Sequence, residues 1–236
     1  MTSLPPFDGQ DPASLWTRFR DLLWYDDDLG FWLDVSRMAL SQPDFDQLTP
    51  GFERAFAAMA ALEAGAIANG DEQRQVGHYW LRAPELAPDA ATADHIRLEV
   101  ERIDAFAQAL LAGEIRAPGG AAFTDVLWIG IGGSGLGPLL MVRALQKQDT
   151  GLPFHFIDNV DPQGISVVLG GLGERLRSTL VVVVSKSGGT PEPHLGMAQA
   201  RLRLEAAGGT WAAQAVAVTM LDSHLDRQAQ AQQWLR

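Results

Sequence analysis

The sequence contains no cysteine. That excludes disulfides, thiol catalysis and a cysteine-ligated metal site. No apolar run approaches the roughly 18 residues that span a bilayer, so no membrane partner is expected. The opening Met1-Thr2-Ser3-Leu4-Pro5-Pro6 lacks the basic and apolar regions of a secretory signal. A cytoplasmic setting is the expectation. Positive charge is also scarce: 18 Lys and Arg stand against 29 Asp and Glu, a formal charge of -11. Nucleic acid is therefore not an expected partner, because its binding rests on basic side chains neutralising phosphates. A small phosphorylated ligand is still permitted, since a local nest of N–H groups holds an anion against an unfavourable global charge.

What is present is an ordinary globular composition, 47% apolar and 20% charged over 236 residues, enough for one large domain or two modest ones. The pattern changes near residue 118. Before it, helical spacing dominates: Leu15, Phe19, Leu22 and Leu23; Phe52, Phe56, Met59 and Leu62; then Ile96, Val100, Ile103, Phe106 and Leu110, with Gly113 as a stop. Ala117-Pro118-Gly119-Gly120 reads as a connector. The expected division is a helical segment over 1–119 and an α/β domain over 120–236.

After the connector, strands and helices alternate. Strands are predicted at Asp125–Ile131, Pro153–Asn159, Ser178–Val184 and Gln214–Met220, with helices near 135–148, 161–172 and 191–207 and from about Ser223. The run Leu180-Val181-Val182-Val183-Val184 is β-branched and continuous, as suits a strand covered on both faces. The alternation implies a parallel sheet flanked by helices.

Two glycine loops follow the first and third strands, where ligands sit in such sheets. The first is Gly130-Ile131-Gly132-Gly133-Ser134-Gly135-Leu136-Gly137-Pro138. The second, Ser185-Lys186-Ser187-Gly188-Gly189-Thr190-Pro191-Glu192, puts three hydroxyls and a lysine before a helix start. Hydroxyls, close-approaching backbone and the positive end of a helix together suit a phosphate monoester. The plainer alternative is a turn and a helix cap. A sharper one is a dinucleotide fingerprint, Gly130-x-Gly132-x-x-Gly135, with Asp158 closing the next strand as a ribose-binding acid. That would make the chain a nucleotide-dependent oxidoreductase.

These strings resemble a known family. Ile129 through Pro138 resembles the first glycine motif of the glucose-6-phosphate isomerase family, and Ser185 through Glu192 its phosphate loop in a Ser-Gly-Gly variant. Asn159-Val160-Asp161-Pro162 is similar to the family's segment after the second strand. Asp71, Arg74, His78 and Leu81-Arg82, Trp24-Tyr25, and Leu33-Asp34-Val35-Ser36-Arg37 are similar to its N-terminal region. The resemblance implies a sugar-isomerase (SIS) type parallel sheet preceded by a mainly helical segment. It implies a hexose 6-phosphate held by Ser185, Ser187 and Thr190, with Lys186 beside the substrate and Gly133 and Ser134 near the sugar. The implied reaction interconverts glucose 6-phosphate and fructose 6-phosphate through an enediol, without metal or nucleotide cofactor, in a homodimer.

The resemblance also implies what is missing. The family's proton-transferring Glu, His and Lys, and an arginine in a Gly-Gly-Arg motif, have no counterpart here. The chain reaches Gln232-Gln233-Trp234-Leu235-Arg236 in what reads as a helix, and the SIS sheet's further strand is not seen. The expectation is the N-terminal portion of an isomerase, with no catalytic residue of its own and little activity alone. A non-catalytic sugar-phosphate-binding module is the other reading. Remaining polar residues read as structural. Glu192 is a first-turn helix acid. His194 and His224 are surface positions, His155 a packed strand residue, and His78 and His95 structural residues of the helical region. Asp26-Asp27-Asp28 is a solvated turn, lacking the glycine and distal Glu of a calcium loop.

Overall fold

The computed structural model describes residue 7, residues 11–146 and residues 151–235. The chain forms two compact units, Met1–Val100 and Glu101–Arg236.

The first unit begins with helix α1 (Pro12–Leu22), whose N-cap Asp11 accepts from the N–H groups of Ala13 and Ser14 at 3.0 and 3.2 Å. The predicted helix does not continue through Leu23. That residue opens strand β1 (Leu23–Asp26), which pairs antiparallel with β2 (Phe31–Asp34). The acidic triplet ends in the connecting turn, where Asp26 accepts from the Leu29 N–H at 2.9 Å and Asp27 and Asp28 are exposed. After β2 the chain wraps around Arg18, buried at 1% exposure. Its guanidinium donates to the carbonyls of Ser36, Met38 and Leu40 at 3.1, 3.0 and 3.0 Å, so a buried cation supplies hydrogen-bond donors to the loop's carbonyls. Helix α2 (Gln42–Glu63) starts in a capping box of Ser41 and Asp44. The helical spacing of Phe52, Phe56 and Met59 falls within this helix, yet all three are exposed and α2 has no buried residue. His78 sits in an irregular segment rather than a helix, its ring 3.9 Å from that of Tyr79. Helix α3 (Ala90–Leu111) follows. This part of the chain is thus helical with a β-hairpin inserted.

The second unit is α/β. Strands β3 (Asp125–Ile129), β4 (Phe154–Ile157), β5 (Thr179–Val184) and β6 (Ala215–Val218) form one parallel sheet in the order β4-β3-β5-β6. The connecting helices are α4 (Gly133–Leu145), α5 (Pro162–Leu172) and α6 (Pro191–Ala206), then the short α7 (Trp211–Gln214). Helix α8 (His224–Ala231) follows β6. Helix α4 starts two residues earlier than expected and ends at Leu145; predicted positions 147 and 148 lie outside the described residues.

Strand alternation divides the core. Leu127, Ile129, Val181 and Val183 join Ile165, Leu169, Met197, Ala200 and Leu204 of α5 and α6 on one side. Val126, Leu180 and Val182 meet Phe123, Ala117, Phe106 and Leu110 on the other. Each fully buried aliphatic side chain contributes about 1.5–3 kcal/mol.

The last stretch corrects the sequence reading. Helix α8 stops at Ala231, Gln233 takes a left-handed φ of 56°, and Leu235 forms a parallel bridge to Val216, its N–H bonded to the Ala215 carbonyl at 3.0 Å. A fifth pairing position therefore exists beside β6. Trp234 is the cause: it is 4% exposed and packs edge-on against Trp211 with centroids 5.5 Å apart.

Candidate functional site

The sheet order decides where a ligand can sit. The chain runs from β3 to β4 on one side, then crosses to β5 on the other. The crevice of such a 2-1-3-4 sheet lies between its first and third strands, here β3 and β5. Both glycine loops leave from those strands, which pair along Asp125–Ile129 and Thr179–Val183. A dinucleotide fold has its first strands in the order 3-2-1-4 instead.

The first loop is shaped by close backbone approach. A Cβ on Gly130 would lie 2.6 Å from the Ser134 carbonyl oxygen, and one on Gly135 would strike the Gly130 carbonyl. Trp128 of β3 locks this turn by donating its indole N–H to the Ser134 carbonyl at 2.8 Å. The Ser134 and Gly135 N–H groups bond to the carbonyls of Ile131 and Gly132 at 3.1 and 3.0 Å. Gly133 is exposed and Ser134 half-buried at the start of α4. Asp158, at the end of β4, accepts from the Asn159 side-chain amide at 2.9 Å.

In the second loop the serines face inward on their own backbone. Ser185, 5% exposed, accepts from the Gly188 N–H at 3.1 Å, and Ser187 accepts from the Gly189 N–H at 3.1 Å. Each hydroxyl keeps its proton for donation. The helix start contributes less than its position suggests. Pro191 and Pro193 fall in the first turn of α6, and proline has no N–H. Thr190 is the N-cap, and its side chain makes no capping bond. The loop's donors are therefore hydroxyls and loop amides more than helix-end amides. Glu192 lies in the first turn of α6. Lys186, Ser187 and Thr190 are exposed. In this lysine-poor chain Lys186 is one of two lysines, the other being Lys147 outside the described residues.

A small cleft joins Ser185, Gly188 and Thr190 to His194, Leu225 and Gln228. His194 is exposed as expected, yet it borders this cleft; Gln228, on α8, carries no local sequence signal. A larger cavity, about 570 Å³, lies elsewhere between Leu110, Met141, Leu145 and Phe154 and is apolar. Among the described residues, no group of three His, Asp or Glu gathers as metal ligands, and no helix is long and apolar enough to cross a membrane.

Sequence reasoning missed one polar cluster at the opposite end of the sheet. Asp125, fully buried at the start of β3, accepts from His155 at 2.8 Å, from Thr124 at 2.8 Å and from Arg175. His155 is thus a strand residue tied by a hydrogen bond to Asp125.

A family model described as phosphoglucose isomerase matches residues 45–226. The chain belongs to the phosphoglucose isomerase family. Relatives in that family include the glucose-6-phosphate isomerase of Parasynechococcus marenigrum (strain WH8102), 65% identical over 99% of this chain and 42% of its own length. That of Synechococcus elongatus is 52% identical over 94% of this chain and 42% of its own length. A crystal structure of a glucose-6-phosphate isomerase from Chlamydia trachomatis superposes with a TM-score of 0.73 at 29% identity, covering 90% of this chain and 41% of that one. The chain thus spans about two fifths of the length of the family members it matches.

Proposed function

We propose that this chain supplies the phosphate-holding part of a glucose-6-phosphate isomerase. The observation that carries the reading is the pair of glycine loops flanking the β3/β5 crevice, one of them lined by serines already bonded to its own backbone. In this reading Ser185, Ser187 and Thr190 donate hydroxyl protons to the phosphate of a hexose 6-phosphate. Lys186 supplies formal charge, and Gly133 and Ser134 line the sugar. Preorganised donors of this kind lose little freedom when the anion arrives.

The aldose–ketose step moves a proton between C2 and C1 and needs a positioned acid and base. No residue of these two loops fills that role: Glu192 is a first-turn helix acid and His194 faces solvent beside the cleft. The proton-transferring groups come, in this proposal, from the remaining part of the isomerase. Homodimer formation and a cytoplasmic setting belong to the same proposal and rest on the resemblance.

Calorimetry of the 236-residue chain tests it. It should bind 6-phosphogluconate in preference to NADH and to unphosphorylated gluconate, with no isomerase turnover. Ser185→Ala should weaken that binding about tenfold, the effect of one strong hydrogen bond to a charged group. Preference for NADH would restore the dinucleotide reading. Binding with normal turnover would show that the chain carries its own proton-transfer groups. Binding without turnover leaves the non-catalytic module as a variant, separated by whether added remaining chain restores activity.

A further inference from the structure

The phosphate loop does not stand alone. Three consecutive carbonyls of it, those of Ser185, Lys186 and Ser187, are all held from behind by residues 219–224. The Thr219 hydroxyl lies 2.6 Å from the Ser185 carbonyl and 3.2 Å from that of Lys186. The Met220 N–H donates to the Lys186 carbonyl at 3.2 Å, and the His224 N–H to the Ser187 carbonyl at 3.2 Å. Packing reinforces the attachment. Gly188, at a left-handed φ of 68°, lies so close to α8 that a Cβ there would meet the Leu225 Cβ at 2.6 Å.

The direction of the hydroxyl chain follows from counting protons. Thr219 has one hydroxyl hydrogen, and its 2.6 Å carbonyl contact uses it. The 2.7 Å bond between Thr219 and Ser223 therefore runs from Ser223 to Thr219. Ser223 in turn accepts from the Asp226 N–H at 3.0 Å as the N-cap of α8. The relay is continuous: α8 amide, Ser223, Thr219, loop carbonyl. Each donor is polarised by the bond it accepts.

We propose that Thr219 and Ser223 are positioning residues for the anion loop. The peptide unit is planar and trans, so a carbonyl drawn backward aims the following N–H forward. Drawing back the carbonyls of Ser185 and Lys186 turns the amides of Lys186 and Ser187 toward the side opposite residues 219–224. It also removes two partial negative charges from the face that an anion approaches. This matters because the first turn of α6 carries prolines at two positions, and the Gly188 and Gly189 amides already serve the serines. The proposal rests on the loop's reading as a phosphate holder, but the relay has a readout of its own.

The test compares Thr219→Val, which keeps shape and removes the hydroxyl, with Thr219→Ser, which keeps the hydroxyl. In Thr219→Val the dissociation constant for 6-phosphogluconate should rise about tenfold, and in Thr219→Ser it should stay within about twofold. Amide hydrogen exchange of the unliganded chain is the second arm. Gly188 and Gly189, whose amides are bonded to the serines, should exchange about tenfold faster in Thr219→Val while Leu127 and Val181 of the sheet keep their protection. Wild-type affinity together with wild-type loop exchange in Thr219→Val would overturn the proposal. If the wild-type chain binds no phosphosugar, the functional reading fails while the exchange arm still decides the relay. If Thr219→Val also loses sheet protection, Ser223→Ala replaces it, with a smaller acceleration of about threefold confined to the same residues; no acceleration there overturns the relay.

Discussion

The two ends of the parallel sheet are built from different chemistry. Where β3 and β5 finish, glycines and hydroxyls make loops whose polar groups bond lightly to their own backbone and keep protons to give. Where β3 and β4 begin, Asp125 is enclosed by His155, Thr124 and Arg175, and its oxygens are fully engaged. Arg175 is further tied to the Gly171 carbonyl at 3.1 Å, and Thr179 returns to the Arg175 carbonyl at 2.9 Å. One end keeps hydroxyl protons not used within its own loop. The other gives both oxygens of its central carboxylate a partner within the chain. The difference teaches that polar residues at a sheet end signal binding only when their hydrogen-bonding capacity is not closed internally.

The comparison can be broken first at Gly188. Gly188→Ala places a Cβ against the backbone of Leu225 and forces an unfavourable left-handed φ. Urea unfolding should show a loss of about 3 kcal/mol, combining strain and overpacking, and 6-phosphogluconate binding should be lost with it. Asp125→Ala should cost about 2 kcal/mol, because it strips a buried acceptor from three donors. Two of those donors can reach water, since the His155 and Arg175 side chains are 26% and 50% exposed. Phosphosugar affinity should not change. A binding loss in Asp125→Ala would erase the distinction between the two ends.

The smallest effect gives the exposed reference for Asp125. Asp34, Asp44 and Asp89 are held below the ordinary carboxylate value of 3.8, chiefly by hydrogen bonds from the Ser36 and Ser41 side chains and the Thr92 backbone. Their folded pKa values are depressed, so their stabilisation is present above the ordinary value and is lost as pH falls through the lowered ones. Urea midpoints measured from pH 5 downward should decline below about pH 4, and Asp44→Asn should make that decline shallower.

The four strands of the sheet were legible because each is a short apolar run alternating with a segment of helical length. The two loops were legible because hydroxyls, lysine and glycines are adjacent in the chain. The Asp125 cluster was not, since its members lie 30 and 50 positions apart and meet only once β3 and β4 pair. The β1–β2 hairpin was missed although aromatics flank a turn ending in Gly30; the helical spacing ahead of it extended one residue too far. Helix α2 shows the converse. Its apolar spacing is real, but spacing alone does not place a partner against Phe52 and Phe56. The end of α8 was misread because nothing local stops that helix. Burial of Trp234 beside Trp211 does, at the expense of a left-handed Gln233.

That indole pair has an optical consequence. Two aromatic rings fixed nearly perpendicular, at an interplanar angle of 81°, sit in an asymmetric, rigid setting. Their electronic transitions are held in one chiral arrangement, which free rotation would average away. Among the signals of seven tryptophans, the near-ultraviolet circular dichroism that Trp234→Phe removes therefore reports whether the segment after α8 is docked. It does so without any label, and in a part of the spectrum to which the backbone contributes little.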